Sequence, residues 1–406
     1  MNQLESGKVI ESLREGIPPE GKVSLLTVGR DDEINKLKQI LHDDGPQALL
    51  VKANYGCGKT HLLKFIKEEA LRKGYVTSLI TLDSKSNARF NRMDQIFGQI
   101  CRNIQVPGNN QKSVRYLFDK LFEPNNQKQE SSKKATELIN KISNLSKWDY
   151  SHFLHSEAMF IAVRAWRFSC RNDHTDSSHV NDIIEDWLFN PYNYYARRSE
   201  LYDSLIESFR GRGFFRDPRP RWKFYDAKEG IFNFQINSYA QSWGALCDLD
   251  TLAKAGGYKG FLILFDEFED VIYNLERIDY KQDAFWNLFQ FFSKERFPSL
   301  SFFAVTPDFV VKCKRVLQEK NIYDYDYSRF DKLGTFEMTS LTTDQLIELS
   351  GKMMHIHEVA YTWKIDDNCR KRIQEICINS LRIPIGDRVR QTVKDIVKAL
   401  DDALEY

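Results

Sequence analysis

The chain contains a glycine-rich loop that ends in a lysine and a threonine. Residues 53–60 read ANYGCGKT, with the apolar run QALLVK before them and the helix-forming run HLLKFIKEEALRK after them. A glycine loop between a strand and a helix directs backbone N–H groups at phosphate oxygens, and the lysine adds a compact positive charge. The threonine hydroxyl is a ligand for the magnesium ion that accompanies such phosphates. The segment therefore predicts a site for a nucleoside triphosphate.

In this predicted phosphate-binding loop, Lys59 neutralises the β and γ phosphates and Thr60 ligates magnesium. Ala53 replaces the first glycine of the usual G-x-x-x-x-G-K-[ST] pattern, so its backbone must have an ordinary φ. Cys57 is expected to fill a small space, with a redox switch as the alternative. His61 is expected at the edge of the pocket, without a chemical role. The predicted nucleotide contacts are Asn54, Tyr55, Gly56, Cys57, Gly58, Lys59, Thr60 and His61.

A second candidate element pairs two acids with an apolar run. Residues 261–267 read FLILFDE, and five consecutive apolar residues are typical of a parallel strand buried on both faces. Open α/β sheets bind ligands at the carboxyl ends of their strands, where Asp266 and Glu267 follow. Asp266 is expected to hold magnesium, directly or through water, and Glu267 to orient and activate the attacking water. The alternative is that these acids only cap the following helix.

The composition of the chain indicates what kind of protein holds these residues in place. At 406 residues the chain has room for two or three domains, and its 42% hydrophobic and 28% charged residues are normal for a globular protein. The net charge of +1 gives no overall field toward DNA or a membrane. Seven scattered cysteines without a C-x-x-C pair fit a reducing, cytoplasmic compartment, and the histidines lack zinc-ligand spacing. We expect neither a signal peptide nor a membrane span.

The pattern along the chain predicts an α/β core interrupted by helices. Strands are expected at 47–52, 75–82, 261–265, 300–306 and 335–338, and an amphipathic helix at 90–104. Three amphipathic helices at about 342–359, 366–380 and 387–404 are expected to form an all-α lid. The predicted organisation is a loosely held polar leader (1–22), a first core segment (23–135), a mostly helical insertion (136–255), a second core segment (256–340) and the lid (341–406).

Four motifs carry a family resemblance: TVGRDDEI, NYGCGKTHLL, AGGYKGFLILFDEFED and a strand that ends in Thr-Pro. In this order the chain resembles the AAA+ class of P-loop ATPases, and more closely the ATP-binding proteins of bacterial BREX-type phage-defence systems. The motifs frame most of residues 25–395, and the helical insertion matches loosely. The resemblance implies a parallel-sheet core, ATP and magnesium as cofactors, and other defence-system proteins as partners. Fold analogy alone does not fix the biochemical step.

The resemblance also assigns roles to residues outside the two motifs. Thr306 ends a strand expected beside the acidic one, where such ATPases keep a polar residue that bonds the attacking water or the γ phosphate; the alternative is a threonine that only closes the strand. A finger arginine from a neighbouring subunit is expected to be Arg329, with Arg315 as the competitor. In the lid, Arg390 is expected to reach the nucleotide. Arg388 lies two residues away on another helix face, so at most one of them should reach it.

A further candidate surface combines arginines with aromatic residues. Residues 210–225 read RGRGFFRDPRPRWKFY, and arginine with aromatic side chains can hold phosphates while stacking on bases. The alternative is a surface loop whose arginines pair with local acids, and the neutral overall charge argues against a large footprint. The candidate nucleic-acid contacts are Arg210, Arg212, Arg216, Arg219, Arg221, Trp222 and Lys223.

Together these features predict an ATP-hydrolysing, AAA+-like enzyme. Hydrolysis is expected to shift the lid against the core and to change contacts with a partner protein, a second copy of the chain or DNA. Glu267, Thr306, Arg329 and Arg390 are the expected catalytic residues. A nucleotide-dependent switch or scaffold with negligible turnover is the alternative, because the finger arginine is not fixed by sequence. A STAND-type signalling ATPase is disfavoured, because no sensor repeats or effector domain are seen.

Overall fold

The computed structural model describes residues 1–41, 48–83, 88–122, 137, 154–171, 177–190 and 239–405. The protein is α/β. Its strands are β1 (Ala48–Lys52), β2 (Val76–Thr81), β3 (Ile104–Gln105), β4 (Phe261–Asp266), β5 (Leu300–Val305) and β6 (Thr335–Glu337). They form one sheet in the order β3-β2-β4-β5-β1-β6.

The sheet is mixed rather than purely parallel. β1 and β6 are parallel, with Leu50 opposite Thr335, whereas β2 and β3 are antiparallel, with Ser78 opposite Ile104. The expected parallel-sheet core therefore carries an antiparallel strand pair at this edge. β3 has only two residues, so it offers no alternation of polar and apolar positions that could predict it. The helix expected at 90–104 also ends earlier, at Arg102.

The predicted bounds of the strands and of the three C-terminal helices are otherwise confirmed to within one or two residues at each described end. All six residues of β4 are buried, as expected of a strand covered on both faces. The helices are α1 (Gln3–Arg14), α2 (Asp31–Ile40), α3 (Lys59–Arg72), α4 (Met93–Arg102), α5 (Val114–Phe122), α6 (Glu157–Arg171), α7 (Ser177–Phe189), α8 (Tyr239–Ala255), α9 (Val271–Asn274), α10 (Ile278–Phe291), α11 (Phe309–Glu319), α12 (Ser328–Asp331), α13 (Thr343–Tyr361), α14 (Asp367–Asn379) and α15 (Arg388–Leu404).

Backbone contacts divide the chain into two compact units. The first, here called the loop unit, comprises Met1–Glu69, Asp266–Glu269 and Phe302–Tyr406. The second, the helical unit, comprises Ala70–Phe265 and Asp270–Ser301. The predicted phosphate-binding loop, both acids of the acidic strand and the three lid helices thus belong to the loop unit.

The N-terminal helix α1 is part of the loop unit's core. Val9, Ile10 and Leu13 are buried in one apolar cluster with side chains of α13, α14 and α15. Arg14 at its end donates to both carboxylate oxygens of Asp401, each at 2.8 Å. The expectation of a loosely held leader was therefore wrong for residues 3–14. The burial of an apolar face outweighs the polar composition of this segment.

Two of the three lid helices, α13 and α14, begin at side-chain caps. Thr342 and Gln345 form a reciprocal capping box at the start of α13, and Asp366 caps α14 by accepting from the Cys369 amide at 2.7 Å. Within the lid, Trp363 donates to Nδ1 of His357 at 2.9 Å, and Nε2 of His357 lies 3.0 Å from Asp401. Because Nδ1 is the acceptor, Nε2 carries the proton and His357 is neutral.

The helical unit has a core rich in aromatic side chains. Trp166 packs edge-to-face on Phe118, with 5.4 Å between ring centroids, and donates to Asp119 at 2.9 Å. Asp248 of α8 is fully buried and accepts the backbone N–H groups of His155 and Ser156, at 2.7 and 2.8 Å. The described parts of the predicted insertion are indeed helical. The described helices include none long and apolar enough to cross a bilayer.

Candidate functional site

The predicted phosphate-binding loop connects β1 to α3. Gly56 and Gly58 have φ values of 71° and 90°, a backbone region that glycine adopts without the strain a side chain brings. The Cys57 amide donates to the Asn54 carbonyl at 3.3 Å, which closes the turn. Ala53 instead donates its amide to the Val305 carbonyl at 3.1 Å and does not have a positive φ. The expected ordinary φ at Ala53 is therefore confirmed.

A hydroxyl and a carboxylate meet at the start of α3. Thr60 donates its hydroxyl proton to Oδ2 of Asp266 at 2.8 Å. Asp266 is 5% exposed, and burial raises its pKa, while the hydrogen bonds from Thr60 and from the Glu267 amide oppose that rise. These two residues come from different motifs, 206 positions apart, and present neighbouring oxygen atoms.

The Lys59 ammonium group is held from three directions. It donates to the Ala53 carbonyl at 3.2 Å, lies 3.4 Å from Oε1 of Glu269, and lies 4.7 Å from the centre of the Tyr55 ring. The Lys59 and Glu269 side chains are only 9% and 4% exposed. A buried cation of this kind needs an anionic partner, and Glu269 provides it.

Glu267 has a left-handed backbone conformation, with φ of 53°, which is uncommon for a residue with a long side chain. Its amide donates to Oδ1 of Asp266 at 3.1 Å, and its side chain is exposed. The next residue, Phe268, is fully buried and packs against Phe303 at 4.8 Å between ring centroids. Strained backbone held by a packed neighbour is found most often at functional sites.

A cavity of about 220 Å³ lies within the loop unit and joins these groups. One wall consists of the loop and the acids of the acidic strand. The remaining walls come from the N-terminal segment, from the end of β6 and from the lid. The lining residues are Leu13, Gly16, Ile17, Pro18, Pro19, Leu26, Thr27, Val28, Arg30, Tyr55, Gly56, Cys57, Gly58, Lys59, Thr60, His61, Leu62, Asp266, Glu267, Glu269, Met338, Leu341, Leu349, Val389, Arg390 and Val393.

His61 lines this cavity as an uncharged side chain. Burial, together with the positive charges of Arg30 and Lys64, lowers its pKa to about 4. Thr27 donates its hydroxyl proton to the Val23 carbonyl at 3.0 Å, so it accepts from Nε2 of His61, also at 3.0 Å. The histidine is thus locked in the tautomer that carries its proton on Nε2.

Two buried contacts at the cavity were not anticipated from the sequence. Arg30 is 6% exposed and donates to the Cys57 carbonyl at 3.0 Å while it pairs with Glu33. Glu269 pairs with Lys59 as described above. Arg30 lies in the run GRDDE, and Glu269 lies in the run DEFED. A charged residue beside a buried strand or loop was the sequence signal for each contact. Cys57 is buried, with its sulfur 3.0 Å from the Ser340 hydroxyl.

The lid brings one of its two candidate arginines to the cavity. Arg390 lines it, whereas Arg388 points to backbone carbonyls of the preceding turn, at 3.4 Å from the Ile383 oxygen. That turn approaches the loop closely. A Cβ added to Gly56 would lie 1.9 Å from the Gly386 carbonyl oxygen.

Other predicted site residues lie away from the cavity lining. Thr306 is buried directly after β5, and Asn54 contributes its carbonyl to the loop turn. Arg329 in α12 is 47% exposed and pairs with Asp326 at 3.3 Å, and Arg315 in α11 is exposed. The candidate nucleic-acid contacts, Arg210, Arg212, Arg216, Arg219, Arg221, Trp222 and Lys223, lie outside the described residues.

The donor set can be tested against the implied magnesium ion. Within the described ranges there is no group of three or more histidine, cysteine or acidic side chains that could hold a metal alone. The pair of Thr60 and Asp266 offers two oxygen atoms. Magnesium is usually bound by one or two protein oxygens together with phosphates and water, so this pair fits magnesium that arrives with a nucleotide.

Comparison with known proteins assigns the family. No curated protein and no solved structure matches the chain. A family model described as "BREX system ATP-binding protein BrxC/D" matches residues 1–190 and 233–406. The match includes the loop, the acidic strand and the lid that surround the cavity, and it spans most of the chain. The protein is therefore a member of the BREX system ATP-binding protein BrxC/D family.

Proposed function

We propose that this ATP-binding protein of a phage-defence system is an AAA+-like ATPase that hydrolyses ATP at the cavity of the loop unit. The observation that carries the proposal is the 2.8 Å hydrogen bond between Thr60 and Asp266, beside Lys59 and Glu267. A hydroxyl at the start of the helix after a glycine loop, bonded to a carboxylate at the end of a buried strand, suits a magnesium-bound triphosphate.

Each group has a distinct task in this proposal. The loop amides from Tyr55 to Thr60 and the Lys59 ammonium bind the phosphates. Thr60 and Asp266 hold magnesium, which when bound neutralises charge on the phosphate oxygens. Glu267 orients the attacking water and accepts its proton, and its exposed carboxylate at the cavity wall suits that role. The uncharged His61 closes the pocket edge without adding charge.

The order of strands supports the AAA+-like assignment. β5 lies between the acidic strand β4 and the loop strand β1, and Thr306 follows β5. This is the position in which the class keeps a polar residue. Thr306 is buried and does not line the cavity, and in the proposal it bonds the attacking water or a phosphate oxygen once nucleotide is bound.

Arginines complete the site in the proposal. Arg390 reaches the nucleotide from the lid. Arg329 is exposed and does not line the cavity of its own chain, which suits a finger that enters the site of a neighbouring copy. Because the lid turn and the loop approach at Gly386 and Gly56, a change at the phosphates moves the lid and alters contacts with a defence-system partner. Residues 210–223 are a candidate DNA contact in that assembly.

The test is steady-state phosphate release by Glu267→Gln and by a matched control, Glu319→Gln, at an exposed position that does not line the cavity. Glu267→Gln should bind MgATP like the parent chain and release phosphate at least about 100-fold more slowly, the usual size of a general-base contribution. The control should match the parent. Equal rates for the parent and Glu267→Gln would refute the role of Glu267.

A nucleotide-dependent switch is the second candidate, and the exposed position of Arg329 favours it for an isolated chain. The two functions differ in how activity depends on protein concentration. Phosphate release per chain that rises with concentration, and is lost in Arg329→Ala but not in Arg315→Ala, supports hydrolysis across an interface. Tight MgATP binding with release near zero at every concentration, with or without DNA, supports the switch.

A further inference from the structure

Glu269 lies where it can control the availability of Lys59. It belongs to the 3-10 turn Phe268–Asp270, which follows the left-handed residue Glu267. This reversal leaves the Glu267 side chain exposed and buries Glu269, which is 3% exposed. Phe268, packed between Phe303 and Phe309, anchors the turn. The Glu269 carboxylate is therefore fixed by packing at the ammonium group rather than carried there by a flexible surface chain.

The contacts of Lys59 set up a competition. An ammonium group has three N–H donors. One donates to the Ala53 carbonyl at 3.2 Å, and a second faces Oε1 of Glu269 at 3.4 Å. The third donor can take one phosphate oxygen, so contact with both the β and the γ phosphate also needs a donor that Ala53 or Glu269 holds. Phosphate oxygens bound to Lys59 would also lie close to the buried Glu269 carboxylate, and neighbouring negative charges repel each other.

We propose that Glu269 is a positioning residue that competes with the phosphates for Lys59 and thereby weakens, and sets, the affinity for nucleoside di- and triphosphates. The inference rests on the proposed function, because it takes Lys59 as the phosphate-binding lysine. Without nucleotide, Glu269 pairs with the Lys59 ammonium group and holds it in the buried wall. When nucleotide binds, its phosphates replace Glu269 as the partner of Lys59. The Glu269–Lys59 pair thus keeps the loop ordered without nucleotide and, for the same reason, lowers the affinity for nucleotide.

This role has a signature that a merely structural residue lacks. Glu269→Gln removes the competing charge and keeps the side chain's size. It should bind MgATP about tenfold more tightly, at the low end of couplings measured for close charge pairs. Its thermal midpoint without nucleotide should fall, because Lys59 stays buried without an anionic partner. A structural residue would lower both stability and affinity.

The experiment is calorimetric titration of the full chain with MgATP, MgADP and AMP. Glu269→Gln should tighten MgATP and MgADP binding and leave AMP unchanged, because AMP has no β or γ phosphate for Lys59. The matched control is Glu358→Gln, which removes one negative charge from a side chain that is 13% exposed and absent from the cavity lining. This control should bind all three nucleotides like the parent chain.

The outcomes separate the inference from the proposed function. If the parent chain binds MgATP and a folded Glu269→Gln binds it equally or more weakly, the inference is overturned and the proposed function stands. If the parent chain shows no heat with MgATP, both are overturned. If Glu269→Gln does not fold, Glu269→Asp keeps the charge but withdraws it from Lys59. MgATP binding about two- to threefold tighter than the parent is then expected, and unchanged or weaker binding overturns the inference.

Discussion

Replacing Gly56 by alanine tests the close approach between the phosphate-binding loop and the lid turn. Two penalties act at this position. The φ of 71° is a left-handed conformation that a Cβ disfavours, and the added atom would lie 1.9 Å from the Gly386 carbonyl oxygen. Because Cβ atoms essentially never come closer than 3.0 Å to such an atom, the two backbones must separate by about 1.1 Å.

The magnitude follows from these two terms. Left-handed strain costs about 1–2 kcal/mol, and overpacking against atoms that cannot rotate away costs about 1–3 kcal/mol. Alanine also restricts the unfolded chain more than glycine does, which stabilises the folded protein by about 0.4–1 kcal/mol. We therefore expect Gly56→Ala to lower the free energy of unfolding by about 1–5 kcal/mol. MgATP affinity should also fall, because a displacement of this size misaligns the loop amides.

Two further glycines serve as controls in urea titrations. Gly58→Ala places its Cβ 3.8 Å from the His61 side chain at φ of 90°, so it carries the strain without the clash and should cost about 1 kcal/mol. Gly386→Ala meets only Tyr55 at 3.6 Å and should stay within about 0.5 kcal/mol of the parent. If Gly56→Ala is no less stable than Gly58→Ala, the reasoning from the Gly386 contact is refuted.

Four other substitutions probe other parts of the loop unit by unfolding measurements. Ile10 is a fully buried residue of α1, and Ile10→Ala should lower the free energy of unfolding by about 2–4 kcal/mol. Leu4 is 71% exposed, so the control Leu4→Ala should lower it by less than about 0.5 kcal/mol. Equal effects of the two substitutions would contradict the docking of α1. Burial lowers the pKa of His357, although the neighbouring Asp401 carboxylate opposes this effect. The histidine therefore binds a proton more readily in the unfolded chain, and the free energy of unfolding should fall as the pH drops below about 6.5. His357→Gln should flatten this part of the plot of stability against pH, and an unchanged slope would contradict the neutral histidine. Glu267→Gly should raise the free energy of unfolding by up to about 1 kcal/mol by relieving the left-handed strain, while phosphate release falls to background; a loss of stability would argue against that strain.

The elements that could be predicted from sequence are those with a strong local pattern. β4 is a continuous apolar run, and the lid helices carry amphipathic spacing with caps at Thr342 and Asp366. The docking of α1 could not be predicted, because its partners lie more than 300 positions away and its apolar residues are diluted by charged ones. The two-residue strand β3 is too short to show a period.

The candidate site shows the same division. The oxygens of Thr60 and Asp266 were expected to be neighbours, because a loop and an acidic strand end at the same edge of a sheet. The pairing of Lys59 with Glu269 was not expected, since it depends on the left-handed turn at Glu267. The Arg30 contact with the Cys57 carbonyl likewise depends on how the N-terminal segment packs. Spacing alone cannot reveal such contacts.

The pairing of α1 with α15 affects how the protein can be made. Arg14 and Asp401 are separated by 387 positions, so their contact cannot form until α15 has left the ribosome. At about 5–20 residues per second, the apolar face of α1 waits roughly 20–80 s for its partner during synthesis. Throughout that interval Val9, Ile10 and Leu13 have no lid to pack against. Newly synthesised chains should therefore depend on chaperones at their N-terminal end, and bulky N-terminal fusions should reduce the yield of nucleotide-competent protein.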